Sequence, residues 1–252
     1  MNGNAFFIKK GKKACLLVHG LTSSTQEVEE IANFLSKKNF TVIAPLLDGH
    51  NTSVQELNKT NWRQWFDSVA NAYNKIKNSE KIFVIGISIG ATLALHLARQ
   101  KRVSALVLLA PAFFYKDRKV KLAPYLKYFI KIKTKDYKKY FPWRKAAYYD
   151  IYSDKAVKER IAYKQVGLNA LSSALSLIKN VKKELKKIKC PTLIIHSKKD
   201  HTILPSSASY IYNNISSKNK KVLWLENSGH VITVDNEKEK VFQLVYDFIR
   251  NK

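Results

Sequence analysis

The chain has 252 residues, with 45 Lys and Arg against 19 Asp and Glu, for a formal net charge of +26. That length suits one large or two small domains, and no apolar run reaches the ~18–20 residues a membrane-spanning helix needs. The two cysteines sit in apolar stretches, which argues for buried thiols and against a disulfide scaffold or a cysteine metal site.

The N-terminal residues lack a signal peptide's order of charge, long apolar core and small-residue cleavage site, so a cytoplasmic location is expected. They read as a short entry strand, a Lys-rich turn and a buried strand over Ala14–His19. Thr25 is placed to cap a following helix. Glu27, Glu29 and Glu30 suit the positive end of its dipole, and Val28, Ile31, Ala32, Phe34 and Leu35 form its apolar face. Phe40–Leu46 reads as the next strand and Trp62–Lys77 as a second amphipathic helix. Lys81–Gly90 and Val103–Ala110 are further buried strands, with a helix between them. Strands alternating with helices in this manner imply a parallel sheet covered on both faces, an α/β fold.

The rhythm breaks between Phe113 and Lys189 and resumes with a strand at Thr192–His196, a helix at Ser206–Ile215, a strand at Val222–Leu225 and a closing helix at Lys238–Arg250. One α/β core, 1–112 and 190–252, is therefore expected to carry a mostly helical insertion, 113–189, with Val166–Leu185 its clearest helix. Residues 113–190 hold 22 of the basic and 6 of the acidic residues, so +16 of the net charge falls there and +10 on the remainder. The insertion has no helix-turn-helix, zinc or RNA-binding signature, so no specific nucleic-acid partner is expected. Its rings and lysines suit weak contact with an anionic membrane, which is the alternative expectation. The sequence carries no signal of oligomeric state.

The most informative stretch is KIFVIGISIG at residues 81–90. A buried strand runs into Gly86-Ile87-Ser88-Ile89-Gly90, and a helical pattern follows at once. Strand, tight turn with a serine between two glycines, then helix, is a nucleophile elbow. The turn pushes the hydroxyl out of the sheet, the glycines keep side chains out of the strand–helix approach, and the helix start aims N–H groups at an oxyanion.

A serine hydroxyl needs a base, and the base an orienting acid, which in elbow enzymes follow in the order serine, acid, histidine. Asp200 follows the strand Thr192–His196, and His230 follows Val222–Leu225. Ser88, Asp200 and His230 are thus the candidate catalytic residues. His201 adjoins Asp200 and is expected to point elsewhere. His196 and His96 are expected to be structural, and His50 to line the site without an acid of its own. Asp117 and Asp136 fall in the insertion, and Glu226 lies close ahead of His230. Oxyanion donors are expected from the backbone N–H groups of Ile89 and Leu21, with His19 and Gly20 shaping the loop.

These residues resemble the α/β-hydrolase superfamily, and within it the small bacterial carboxylesterases related to monoacylglycerol lipases. The resemblance rests on His19-Gly20-Leu21, the elbow, Asp200 through Pro205, and Ser228 through Asp235. It covers essentially the whole chain and is weakest over Phe113–Lys189, where the family has a small helical cap above an acyl pocket. The elbow departs in having Ile on both sides of Ser88 and Ala91 after Gly90, and the insertion departs in being strongly basic. The resemblance implies hydrolysis of carboxylic esters of short-to-medium acyl chains through an acyl-enzyme, with a small-molecule ester as substrate and neither metal nor organic cofactor. A lipid hydrolase working at a membrane surface is the alternative within enzymes, and a non-catalytic ligand-binding protein on the same fold the alternative outside them.

Overall fold

The computed structural model describes residues 2–252. In chain order it contains β1 (Phe6–Ile8), β2 (Lys13–Val18), α1 (Gln26–Lys37), β3 (Thr41–Ala44), α2 (Val54–Leu57), α3 (Trp62–Ile76), β4 (Lys81–Ile87), α4 (Ile89–Ala98) and β5 (Ala105–Leu109). There follow α5 (Ala123–Leu126), β6 (Ile132–Thr134), α6 (Asp154–Lys158), β7 (Gln165–Gly167), α7 (Leu168–Lys182), β8 (Thr192–Ser197), α8 (Ser206–Asn214), β9 (Lys220–Leu225) and α9 (Lys238–Ile249).

Seven strands form one sheet in the order β1-β3-β2-β4-β5-β8-β9. Only β1 runs antiparallel, against β3; the other pairings are parallel. Alternating side chains feed two separate cores, as a strand buried on both faces must. Leu16, Val18, Val84, Leu106 and Ile194 face one core with Trp65 and Val69 of α3, Leu93 and Leu97 of α4 and Ile211 of α8. Cys15, Leu17, Phe83, Ile85 and Val107 face the other, with Ile31 and Leu35 of α1 and Val241 and Val245 of α9. Cys15 is buried there, and burial pushes its thiol up, leaving it unreactive. No helix among the described residues is long and apolar enough to cross a membrane.

Thr25 does precede α1, but its backbone is already helical and its side chain makes no cap hydrogen bond. Its hydroxyl donates instead to the Asn4 carbonyl at 2.5 Å, so tying down the N-terminal segment wins over capping. The chain between β5 and β8 leaves the sheet. It is less helical than expected: its one long helix is α7, and irregular stretches surround a two-stranded ladder of β6 and β7. Strands of three residues, Ile-Lys-Thr and Gln-Val-Gly, carry too short an apolar pattern to be read from sequence. The apolar face of α7, with Ala170, Ala174, Leu177, Ile178 and Val181, packs into the same core as α3 and α4.

The parallel arrangement positions the site. β2 and β4 are neighbours, with Val18 opposite Gly86, and β8 and β9 are neighbours, with Ser197 opposite Leu225. The loops that leave the C-terminal ends of all four strands therefore open on one edge of the sheet, where open α/β sheets place their ligands.

Candidate active site

Ser88 stands between the end of β4 and the start of α4 with φ +56° and ψ −120°, a strained backbone for a residue with a side chain. Neighbouring backbone holds it there: its N–H donates to the Leu109 carbonyl at 2.9 Å, and its carbonyl accepts from Ala91 at 3.1 Å and Ala112 at 3.2 Å. The flanking glycines are required by space. A Cβ on Gly86 would lie 2.3 Å from the Gly90 carbonyl oxygen, and one on Gly90 would lie 2.2 Å from the Val18 carbonyl oxygen.

Three loops deliver the partners. Ser88 Oγ is 2.9 Å from His230 Nε2, and His230 Nδ1 is 2.7 Å from Asp200 Oδ2. A carboxylate only accepts, so Nδ1 carries the ring proton and Nε2 is left to accept from the serine. The other oxygen of Asp200 accepts from the backbone N–H groups of Thr202 at 2.8 Å and Ile203 at 2.7 Å. Burial alone would push the Asp200 carboxyl up, but the His230 ring, with His196 beside it, holds it well below the usual carboxylate range. For His230, burial favours the neutral ring, yet the attraction of Asp200 prevails and the proton affinity is raised.

The loop after β2 lies beside this group. A Cβ on Gly20 would be 3.3 Å from Ser88 Cβ. Its N–H donates to Glu27 Oε2 at 2.6 Å, so Leu21 is the next backbone donor along the loop. Ile89 opens α4, where the first N–H groups have no partner within the helix. His19 anchors the turn: Nε2 accepts from the Leu47 N–H at 3.1 Å and Nδ1 donates to the Gly20 carbonyl at 2.9 Å. Burial lowers its pKa to about 4, so the ring is neutral at ordinary pH.

Glu27 does not act as an exposed helix-dipole acid. It is buried, and its Oε1 meets Arg160 Nη2 at 2.5 Å. Arg160 also reaches Ser23 Oγ at 3.1 Å, and Lys135 donates to Thr22 Oγ1 at 3.1 Å. Burial, with the Arg160 guanidinium nearby, brings the Lys135 ammonium down to about 7. Two cations of the 113–189 segment thus clasp the loop beside Ser88.

The remaining histidines sort clearly. His201 turns away from Asp200 and stacks on Tyr140 with centroids 3.9 Å apart. His96 packs on Trp62 and Phe66 and faces Glu184 at 3.2 Å. His50 lies edge-on to His19 at 5.0 Å, with its Nδ1 3.1 Å from the Asp48 carbonyl rather than on a carboxylate. His196 is closer to the chemistry than its strand-end position suggested: Nε2 lies 3.0 Å from Asp200 Oδ2, off the hydrogen-bonding direction. Asp117 pairs with Lys133 and Glu226 with Lys198, both at the surface. Asp136 caps a local turn by accepting from Lys138 N–H.

A strained serine, a neutral-side imidazole and a buried carboxylate in line are what acyl-transfer hydrolases use. Comparison with known proteins names the family. The serine aminopeptidase S33 family of α/β-hydrolases matches residues 9–239. The chain belongs to that family. A carboxylesterase of Bacillus subtilis is 30% identical over 247 residues, covering 97% of this chain and 95% of the relative. A thermostable monoacylglycerol lipase of Bacillus sp. strain H-257 is 29% identical, with 96% and 92% covered. Among solved structures, a metagenome-derived lipolytic enzyme superposes with a TM-score of 0.90 at 25% identity, over 100% of this chain and 98% of that one. The monoacylglycerol lipase of Paleococcus ferrophilus shares the fold at a TM-score of 0.78 and 17% identity, with 97% of each chain covered. This S33 hydrolase is therefore a serine hydrolase of esterase and lipase kind on an α/β-hydrolase fold, as the resemblance implied.

Proposed function

We propose that this hydrolase is a carboxylesterase in which Ser88 is the nucleophile, His230 the general base and acid, and Asp200 the residue that orients and stabilises the imidazolium. The observation that carries the reading is the unbroken contact from Ser88 Oγ to His230 Nε2 and from Nδ1 to Asp200. Ser88 Oγ attacks the ester carbonyl carbon as its proton passes to Nε2. The carbonyl π electrons move onto oxygen, where the Leu21 and Ile89 N–H groups receive the charge. Collapse expels the alkoxide, which leaves as the alcohol with the proton from Nε2. Water, deprotonated by the same nitrogen, then attacks the acyl-enzyme; the carboxylic acid departs and Ser88 recovers its proton.

The substrate class is an uncharged ester of short-to-medium acyl chain, taken between the core and residues 113–189 acting as a cap rooted on α7. Ester is favoured over amide because the relatives named above are esterases and lipases and the sequence offers no acidic pocket for a substrate amine. The test is a series of p-nitrophenyl esters from acetate to palmitate with the native enzyme and Ser88→Ala. The reading expects kcat/KM to peak at short or medium chains and to vanish in the variant; turnover surviving in the variant contradicts it.

A lipid hydrolase working at a membrane is supported by one observation. Leu122, Tyr125, Tyr128, Phe129 and Ile130 are exposed, Phe129 by 86%, on a stretch that also carries Lys119, Lys121, Lys127 and Lys131. Rings beside lysines suit an anionic interface. On this reading activity on a monoacylglycerol rises sharply as the substrate passes its aggregation threshold, and it stays smooth through that threshold for an esterase.

A further inference from the structure

Asp150 belongs to neither the catalytic trio nor the sheet, yet it touches both loops that carry Asp200 and His230. It is buried in the segment between β5 and β8. Its main-chain carbonyl accepts from the His230 N–H at 2.9 Å. Its Oδ2 accepts from the His201 N–H at 2.7 Å and the Thr202 hydroxyl at 2.9 Å. Since Thr202 spends its one proton on Asp150, the Tyr137 hydroxyl 2.9 Å away must donate to Thr202 Oγ1. The Asp200–Ile203 turn is therefore divided between two carboxylates: Asp200 takes the N–H groups of Thr202 and Ile203, and Asp150 takes the N–H of His201, the residue just before them. The following residues repeat the grip. Asp235 accepts from the N–H groups of Tyr152 at 2.9 Å and Ser153 at 2.8 Å and, within its own loop, from Gly229 at 2.7 Å, so the histidine loop is fastened to the same segment at His230 and again at Asp235.

We propose that Asp150 is a positioning residue for the reaction, holding the acid turn and the His230 backbone in register and acting on the imidazole through its own carboxyl group. The inference rests on the reading of His230 as the base. Asp150 Oδ1 is buried with no partner and faces Gly229, where a Cβ would come within 2.7 Å of it. An anion with one oxygen so placed is costly. Burial and the neighbouring Asp200 charge raise this carboxyl to about 7, opposed by His230 and by the two donors on Oδ2. Asp150 and His230 thus compete for protons in the range where the base must be neutral. The other groups facing the pair are Asp200 and, more distantly, Glu27 on the His230 side. Tyr137 and Tyr152 face Asp150, while His196 lies behind Asp200. The His201 ring is turned out to Lys116 and Tyr140, and Asp235 is occupied by four backbone donors, those of Tyr152, Ser153, Gly229 and Asn236.

Asparagine keeps the acceptor and removes the ionisable proton; alanine removes both. The test compares pH profiles of p-nitrophenyl butyrate hydrolysis for native enzyme, Asp150→Asn and Asp150→Ala, with fluorophosphonate labelling of native Ser88 checking the underlying reading separately. Asp150→Ala should lower plateau kcat by about tenfold or more, with KM nearly unmoved, because the trio loses register. Asp150→Asn should recover most of that loss, and its acidic limb should move down by about half a pH unit or more, since a negative charge that favours imidazolium is gone. An Asn limb superimposed on the native one overturns the proposal, as does an alanine plateau within twofold of native. If the alanine protein does not fold, the Asn profile alone decides.

Discussion

Arg160 and Glu27 meet at 2.5 Å in a buried ion pair that joins the segment between β5 and β8 to the first turn of α1. The same Glu27 side chain accepts from the Gly20 N–H at 2.6 Å, one residue before the proposed oxyanion donor Leu21. One carboxylate therefore links the inserted segment to the backbone proposed to hold the developing negative charge. Removing Arg160 leaves that carboxylate buried and unpaired, which costs about 3–5 kcal/mol. Arg160→Ala should lower Tm by roughly 6–20 °C for a chain of this size and reduce kcat at a temperature where it is folded. Glu27→Gln, which keeps an acceptor for Gly20, should reduce kcat less than Glu27→Ala. Thermal denaturation with kinetics on one ester checks both; an Arg160→Ala enzyme of native Tm and kcat contradicts the role.

The acidic limb of kcat/KM should report His230. Burial favours the neutral ring, but Asp200 outweighs it, so the imidazole binds its proton more tightly than an ordinary histidine at ~6.5. With His230 as the proposed base the neutral ring is the active form, so half-maximal kcat/KM belongs above pH ~6.5. Asp200→Asn should lower kcat by about 10⁴-fold, as loss of the orienting acid does in such trios. It should also bring the limb down. Asp200 further adds stability above its unfolded pKa of ~3.9 that is lost as the pH falls below it, because its folded carboxyl is held lower. Native melting below pH ~4 should therefore be less affected by Asp200→Asn than melting near neutrality.

The elbow's glycines admit no side chain. At Gly86 the obstacle to a Cβ is the Gly90 carbonyl at 2.3 Å, and at Gly90 it is the Val18 carbonyl at 2.2 Å; both are backbone in the centre of the fold. Gly86→Ala and Gly90→Ala should each destabilise by at least ~3 kcal/mol, seen as loss of soluble protein or a large drop in Tm. A Gly90→Ala enzyme that melts like the native one would show that β2 and α4 can separate more than this packing allows.

Much of this organisation is legible in the sequence. The Ile-, Val- and Leu-rich strands announce a sheet buried on both faces, and a serine between glycines at a strand–helix junction announces the elbow. Asp200 and His230 stand out as candidates from chain order and from their place in loops after β8 and β9, since parallel neighbours bring those strand ends to one edge. The supports of the site are hidden for a physical reason. Glu27 reads as one of three acids at a helix start, and only the tertiary approach of Arg160, over a hundred residues on, turns it inward. Asp150 and Lys135 sit in a segment where charge and aromatic residues alternate without periodicity, so nothing local marks the first as buried or the second as half-buried. His196 reads as a strand end, and the turn that returns Asp200 to within 3.0 Å of its ring is not encoded in any spacing.

The exposed rings of the inserted segment make the membrane reading measurable. Phe129 and Tyr128 are 86% and 71% exposed and make no part of the site. Phe129→Ser with Lys127→Glu and Lys131→Glu should weaken sedimentation with phosphatidylglycerol vesicles by about tenfold or more, at ~1 kcal/mol per lysine plus the lost ring. Turnover of soluble p-nitrophenyl acetate should not change. Equal sedimentation of native and variant proteins would assign these residues to the aqueous surface.

The most direct measurement is peptide mapping by mass spectrometry after exposure to a fluorophosphonate, with native enzyme, Ser88→Ala and His230→Ala in parallel. A single phosphonyl adduct on Ser88 of the native chain, lost in the first variant and much slowed in the second, is the result expected. An adduct on another residue, or a Ser88 that reacts as fast without His230 as with it, would contradict the proposed catalytic centre.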